Sequence, residues 1–175
     1  MEASEPKPET EPKPPTEPSA APMRLLQFNC LAPNARVCAP LKDIPWETRH
    51  GAICDTIAAL VPGIVAIQEF DFTTPGFGAL YEQRLGGEFT IFTKQRTGNK
   101  TDGLALLVRT AMFSEVDVSE LNLEPSSCDR VALVGRMRHA ASGVKLTVIN
   151  SHLTVAHASN GHDIPHCRPL QMEQM

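Results

Sequence analysis

The chain has 175 residues, 42% of them hydrophobic and 21% charged, and a formal net charge of −4. These values suit one globular domain with a real core, and they exclude a module driven onto nucleic acid by its own basic charge. They leave room for an enzyme acting on phosphates, because a bound metal ion supplies positive charge locally.

Residues 1–22 are Pro, Glu, Lys and Thr with almost nothing apolar, which predicts a disordered tail ahead of a domain over 23–175. Arg24 to Cys30 reads as a strand, with Leu26, Phe28 and Cys30 on one face and Leu25, Gln27 and Asn29 on the other. Trp46 to Leu60 reads as a helix. Trp46, Ile53, Ile57 and Leu60 follow its period, Pro45 suits its start, and Pro62-Gly63 ends it. Ile64 to Glu69 reads as a short buried strand, with Val65, Ile67 and Glu69 expected on one face. Thr73-Thr74-Pro75 opens a second helix carrying Phe77, Leu80, Tyr81 and Leu85, and Gly86-Gly87 closes it.

Phe89 to Thr93 is predicted as a strand, Lys94 to Asp102 as a polar loop, and Gly103 to Arg109 as a strong strand. Strands over Phe113–Leu123, Arg130–Arg138 and Val144–Ser151 follow, joined by short turns. Beyond Leu153 lies a His-, Asn- and Asp-rich loop, then Arg168-Pro169-Leu170 as the start of a helix that the chain leaves at Met175, which reads as a truncation. Helices cross between early strands and turns join later ones, so the expected class is an α/β layered domain with one mixed sheet.

Five cysteines, none in a CxxC pair, predict reduced thiols, with Cys30 and Cys54 as core packing. No apolar run approaches the ~20 residues that span a bilayer, and the amino terminus resembles neither a secretory nor a transit signal. The expectation is therefore a cytoplasmic protein, with the nucleus as the alternative and no membrane partner. Asn99-Lys100-Thr101 matches a glycosylation sequon, read here as chance.

Polar groups stand at three strand ends: Asn29, Glu69, and the pair Asn150 and His152, which continue the face of Val144, Leu146 and Val148. If these strands are neighbours, the ends meet at one rim. A carboxylate with an amide oxygen suits Mg²⁺, which keeps several waters and leans on substrate phosphate. His152 is a candidate proton donor or phosphate contact, and the Lys94–Asp102 loop brings cations to the same rim. His152, His157, His162, His166 and Cys167 suggest a zinc module instead, but their spacing fits no usual zinc pattern.

Five stretches in order carry a resemblance: Leu26-Gln27-Phe28-Asn29, Trp46-x-x-Arg49, Ile67-Gln68-Glu69, Asp102-Gly103-Leu104-Ala105-Leu106 and Asn150-Ser151-His152-Leu153. Together they resemble the endonuclease/exonuclease/phosphatase superfamily, the DNase I-like fold, and within it the nocturnin/deadenylase-like branch, over residues 23–175. The resemblance implies part of a four-layer β-sandwich flanked by helices (α/β, α+β). It implies Mg²⁺, with Mn²⁺ as a substitute, held by Glu69 and Asn29, and His152 with Asn150 as catalytic residues. Lys94, Asp102 and Arg168 would bind substrate, and Asp163, Arg168 and Gln171 resemble a further Asp…Arg…Gln pattern. The implied activity is phosphoester hydrolysis on RNA 3′ ends or a phosphorylated nucleotide, without stable DNA binding. Alternatives are an inositol-phosphate or sphingomyelin hydrolase of the same superfamily, or an inactive truncated product. The superfamily's Gly-Asp-Phe-Asn and Ser-Asp-His motifs are absent from the sequence. The chain alone is therefore expected to be inactive, with the second sheet missing.

Overall fold

The computed structural model describes residues 23–33, 43–123, 129–153 and 171–175; the amino-terminal tail lies outside them. The described elements run β1 (Leu25–Asn29), α1 (Trp46–Leu60), β2 (Ile64–Asp71), α2 (Phe77–Leu85), β3 (Phe89–Gln95), β4 (Asp102–Arg109), β5 (Phe113–Leu123), β6 (Arg130–His139) and β7 (Lys145–Ser151). One sheet has the order β1-β2-β4-β3 and a second has the order β5-β6-β7. In the first, β1 lies parallel to β2, while β4 runs antiparallel to both β2 and β3. The first sheet is therefore mixed, as expected. The second sheet, expected to be missing, is built by the chain's own antiparallel strands. After Arg109 the chain leaves the first sheet, and a short turn after His139 folds β7 back onto β6.

The central strands β2 and β4 are buried on both faces, which explains why they read as unbroken apolar runs, whereas the edge strands β1 and β3 are partly exposed. Val65, Ile67, Phe70, Ala105 and Leu107 face Cys54, Ile57, Phe77, Tyr81 and Leu85 of the helices. Ile64, Ala66, Leu104, Leu106 and Val108 face Val131, Leu133 and Met137 of the second sheet. Fully burying side chains of this size is worth about 1.5–3 kcal/mol each, so the two cores dominate stability. Cys30 and Cys54 are 2% and 1% exposed and pack as expected; burial pushes the Cys30 thiol up to about 12, so it stays protonated and inert.

Three expectations change. Lys94 and Gln95 belong to β3, paired with Leu104 and Gly103, and Asp102 opens β4, so the loop is shorter than its polarity suggests. In α1 the buried residues are His50, Gly51, Cys54 and Ile57, whereas Leu60 is 41% exposed. The helix rolls toward α2, because His50 stacks edge-on against Phe77 and its Nδ1 lies 2.8 Å from the Tyr81 hydroxyl. Glu69 does not continue the face of Val65 and Ile67: the ladder slips between Gln68 and Phe70, and Phe70 takes the helix-facing place.

Burial, helped by the nearby Arg49 charge, pushes His50 down to about 4. The unfolded chain takes up this proton near pH 6.5 while the folded chain resists it. Stability present above that pH is therefore lost as pH falls toward 4, by about 3 kcal/mol at most. Urea unfolding at pH 7 and pH 4 should show this loss, and His50→Gln should remove most of it.

Candidate active site

The rim begins with Glu69. In β2 it is the residue left over where the β2–β4 register breaks, and its backbone is left-handed at φ 58°. For a non-glycine residue this costs about 1–3 kcal/mol and persists only where neighbours enforce it. The turn sends the carboxylate to the adjacent strand end. Asn29 Nδ2 donates to Glu69 Oε1 at 2.5 Å, and Asn29 Oδ1 accepts from the Leu31 backbone N–H at 2.9 Å. The Leu31 bond fixes which end of the amide points where, so Asn29 presents its nitrogen to Glu69 and orients it. Among the described residues no hydrogen bond is made to Glu69 Oε2, and the residue is half-buried.

Arg49 accounts for the Trp46-x-x-Arg49 pattern. Its Nη1 donates to the carbonyls of Cys30 at 3.0 Å and Leu31 at 2.5 Å, and so holds the turn after β1, where Leu31 is also left-handed. Trp46, one helical turn earlier, packs on Phe77.

His152 follows β7 and is half-buried, with Nδ1 enclosed and not hydrogen-bonded. Burial holds its pKa below the usual histidine value. The Arg130 and Arg96 charges act in the same direction, while Glu69 and Asp102 oppose them. These four charges are the ones that act on the imidazole. Arg96 Nη1 grips both Asp102 oxygens at 3.1 and 3.2 Å, and its Nε donates to the Asp129 carbonyl. Lys94, the predicted phosphate contact, forms an ion pair with Glu120 of the second sheet at 2.8 Å. Asn150 is 1% exposed and spends its amide inside the protein, on Gln68, Ile67 and Ala105.

The structure thus brings Asn29 onto Glu69 and Arg96 onto Asp102, and the Glu69, Arg96 and Asp102 charges all act on His152. Arg168 and Asp163 lie outside the described residues, as do His157, His162, His166 and Cys167 of the zinc alternative. Gln171 is fully buried in a short helical turn over 171–173. Among the described residues no three His, Cys, Asp or Glu side chains gather into a metal cluster, and no helix is long and apolar enough to cross a membrane. The Lys94–Asp102 stretch was expected to bring cations to the rim, and Arg96 is one of them; the sequence pattern did not show Gln68 and Arg130 as parts of the rim. Arg130 carried a signal: it is the charged residue that opens the apolar run Val131–Val134.

No family model matches the chain. Rat nocturnin is 27% identical over 150 residues, which cover 77% of this chain and 35% of nocturnin. The chain therefore spans about a third of the length of the curated relatives it matches. The human nocturnin catalytic domain with bound sulfate aligns at a TM-score of 0.67 and 21% identity, over 87% of this chain and 56% of that one. ANGEL2, a 2′,3′-cyclic phosphatase in complex with adenosine-2′,3′-vanadate, aligns at 0.63 and 22% identity, over 74% and 41%.

The arrangement around His152 predicts a titration. In metal-free buffer its ring signals should titrate below the usual histidine value, and Glu69→Gln should push the midpoint lower still by removing a favourable charge. An upward movement in that NMR titration would contradict the placement of Glu69 near the imidazole.

Proposed function

The chain is nocturnin-like in sequence and has the endonuclease/exonuclease/phosphatase fold, and on that premise we propose that it forms the metal- and phosphate-binding side of a Mg²⁺-dependent phosphoester hydrolase. The observation that carries this reading is Glu69, turned out of its strand by a left-handed bulge and held by Asn29 through one oxygen, with no hydrogen bond on the other among the described residues. One carboxylate with water completing the shell suits Mg²⁺, and Mn²⁺ in its place. When bound, the cation would polarise a phosphoryl oxygen and offset charge on the leaving oxygen.

The chain's own residues do the rest. Asn29 fixes the rotamer of Glu69. His152, neutral at pH 7 because burial disfavours its charged form, takes a proton or contacts a phosphate oxygen. Lys94 exchanges its bond to Glu120 for a substrate phosphate, and Asp102 holds Arg96 toward the same place. The substrate is an RNA 3′ end or a phosphorylated nucleotide. The likeness to nocturnin and to ANGEL2, seen with an adenosine vanadate, supports that class. Such substrates put the protein in the cytoplasm or nucleus. The sequence holds neither a Gly-Asp-Phe-Asn nor a Ser-Asp-His motif, so on this reading the chain alone binds the cation and does not turn over.

Mn²⁺ titration followed by electron paramagnetic resonance tests the reading. The expected result is one bound ion in the wild type and none in Glu69→Gln, with affinity weakened roughly 10–100-fold in Asn29→Ala. Unchanged Mn²⁺ binding by Glu69→Gln would overturn the assignment.

A further inference from the structure

Asn150 is a buried amide at a place where an apolar side chain would serve packing as well. It continues the inward face of Leu146 and Val148, which pack into the core between the sheets. A fully satisfied buried amide adds little net stability over an apolar group of the same shape. Its location is explained by what it grips.

Nδ2 donates to the Ile67 carbonyl at 3.0 Å and the Ala105 carbonyl at 2.8 Å, and Oδ1 accepts from Gln68 Nε2 at 2.6 Å. Ile67 and Ala105 face each other across β2 and β4, Gln68 faces Leu104 next to them, and the register breaks immediately beyond, at Glu69. Gln68 is tied on its other side: its Oε1 accepts from Gln27 Nε2 at 2.7 Å, and its carbonyl accepts from the Cys30 N–H at 2.9 Å. β1, β2, β4 and β7 are therefore joined by amides around the base of the bulge, and none of these amides bonds to the Glu69 carboxylate.

We propose that Asn150 is a positioning residue: its amide, crossing from the second sheet, locks the β2–β4 pair just ahead of the bulge and so holds Glu69 left-handed with its carboxylate on Asn29. The backbone of Gln68 has two ways to continue, into a regular ladder or into the bulge. A regular ladder would return Glu69 to the helix-facing side, where Phe70 now packs. Pinning the Ile67 and Ala105 carbonyls and the Gln68 side chain removes the freedom that slippage needs. The functional part of this inference rests on the reading that Glu69 receives a divalent cation; the geometric part does not. The rival account is that Asn150 only staples the sheets together.

Two readouts on Asn150→Leu separate these accounts, with Leu133→Ala as the control. Leu133 lies opposite Asn150 in the ladder and packs in the same core, so its truncation loosens the sheets without touching the amide chain. The first readout is the set of ¹³Cα and ¹³Cβ shifts of Glu69, which report its φ; the second is Mn²⁺ affinity. Asn150→Leu should move the Glu69 shifts out of the left-handed range and weaken Mn²⁺ binding roughly 10-fold or more, while Leu133→Ala leaves both unchanged. Left-handed Glu69 shifts in a folded Asn150→Leu protein would overturn the proposal. If the wild type binds no Mn²⁺, the cation reading fails, and the shifts still decide the positioning role. If Asn150→Leu does not fold, Gln68→Met removes the two side-chain bonds that Gln68 makes, to Gln27 and to Asn150, and leaves Asn150 on the Ile67 and Ala105 carbonyls. A smaller displacement of the same resonances is then expected, and no displacement would count against the proposal.

Discussion

A glutamate held at φ 58° inside an otherwise regular antiparallel pair is the constraint on which the rest of this rim depends. Left to its own preferences the residue would stay extended, since left-handed backbone costs an L-residue about 1–2 kcal/mol. The slip changes two things at once. It delivers Phe70 to the aromatic cluster of Phe72, Phe77 and Tyr81 under the helices. It also turns the carboxylate to Asn29 on the neighbouring strand. Packing on one side and a charge-assisted hydrogen bond on the other offset the backbone strain.

The surroundings are arranged so that the bulge has little room to relax. β2 and β4 are covered by helices on one face and by the second sheet on the other, and close-packed interiors transmit rather than absorb displacement. Arg49 fixes the turn after β1 from the helix side. Arg96, Thr97 and Lys100 fasten the β3–β4 loop to Asp129, ahead of β6. The resulting site is built on strands rather than on a free loop, which favours a precisely held carboxylate.

Much of this was legible in the residues. Pro45 and Pro62-Gly63 bracket α1 at its observed bounds, and the turn residues around β5 bound that strand at Phe113 and Leu123. The polar strand ends Asn29 and Glu69 do meet. What escaped depends on partners distant in sequence. A period of two places Glu69 with Val65 and Ile67, because periodicity contains no information about a register slip set by the partner strand β4 and by Asn150, some 80 residues away. The second sheet escaped because pairing among β5, β6 and β7 cannot be told from extension of the first sheet by pattern alone. Asn150 was legible as an inward amide near the rim, but its polarity pointed to chemistry, whereas its bonds point to the backbone.

On the proposed reading, the bulge presents the Glu69 carboxylate to a divalent cation. The most direct measurement is anomalous diffraction from crystals of the chain soaked in Mn²⁺. The expected result is a peak about 2 Å from a Glu69 carboxylate oxygen, on the side away from Asn29, with waters filling the remaining positions. A fully ordered Glu69 with no peak beside it, at a Mn²⁺ concentration that saturates binding in solution, would contradict it.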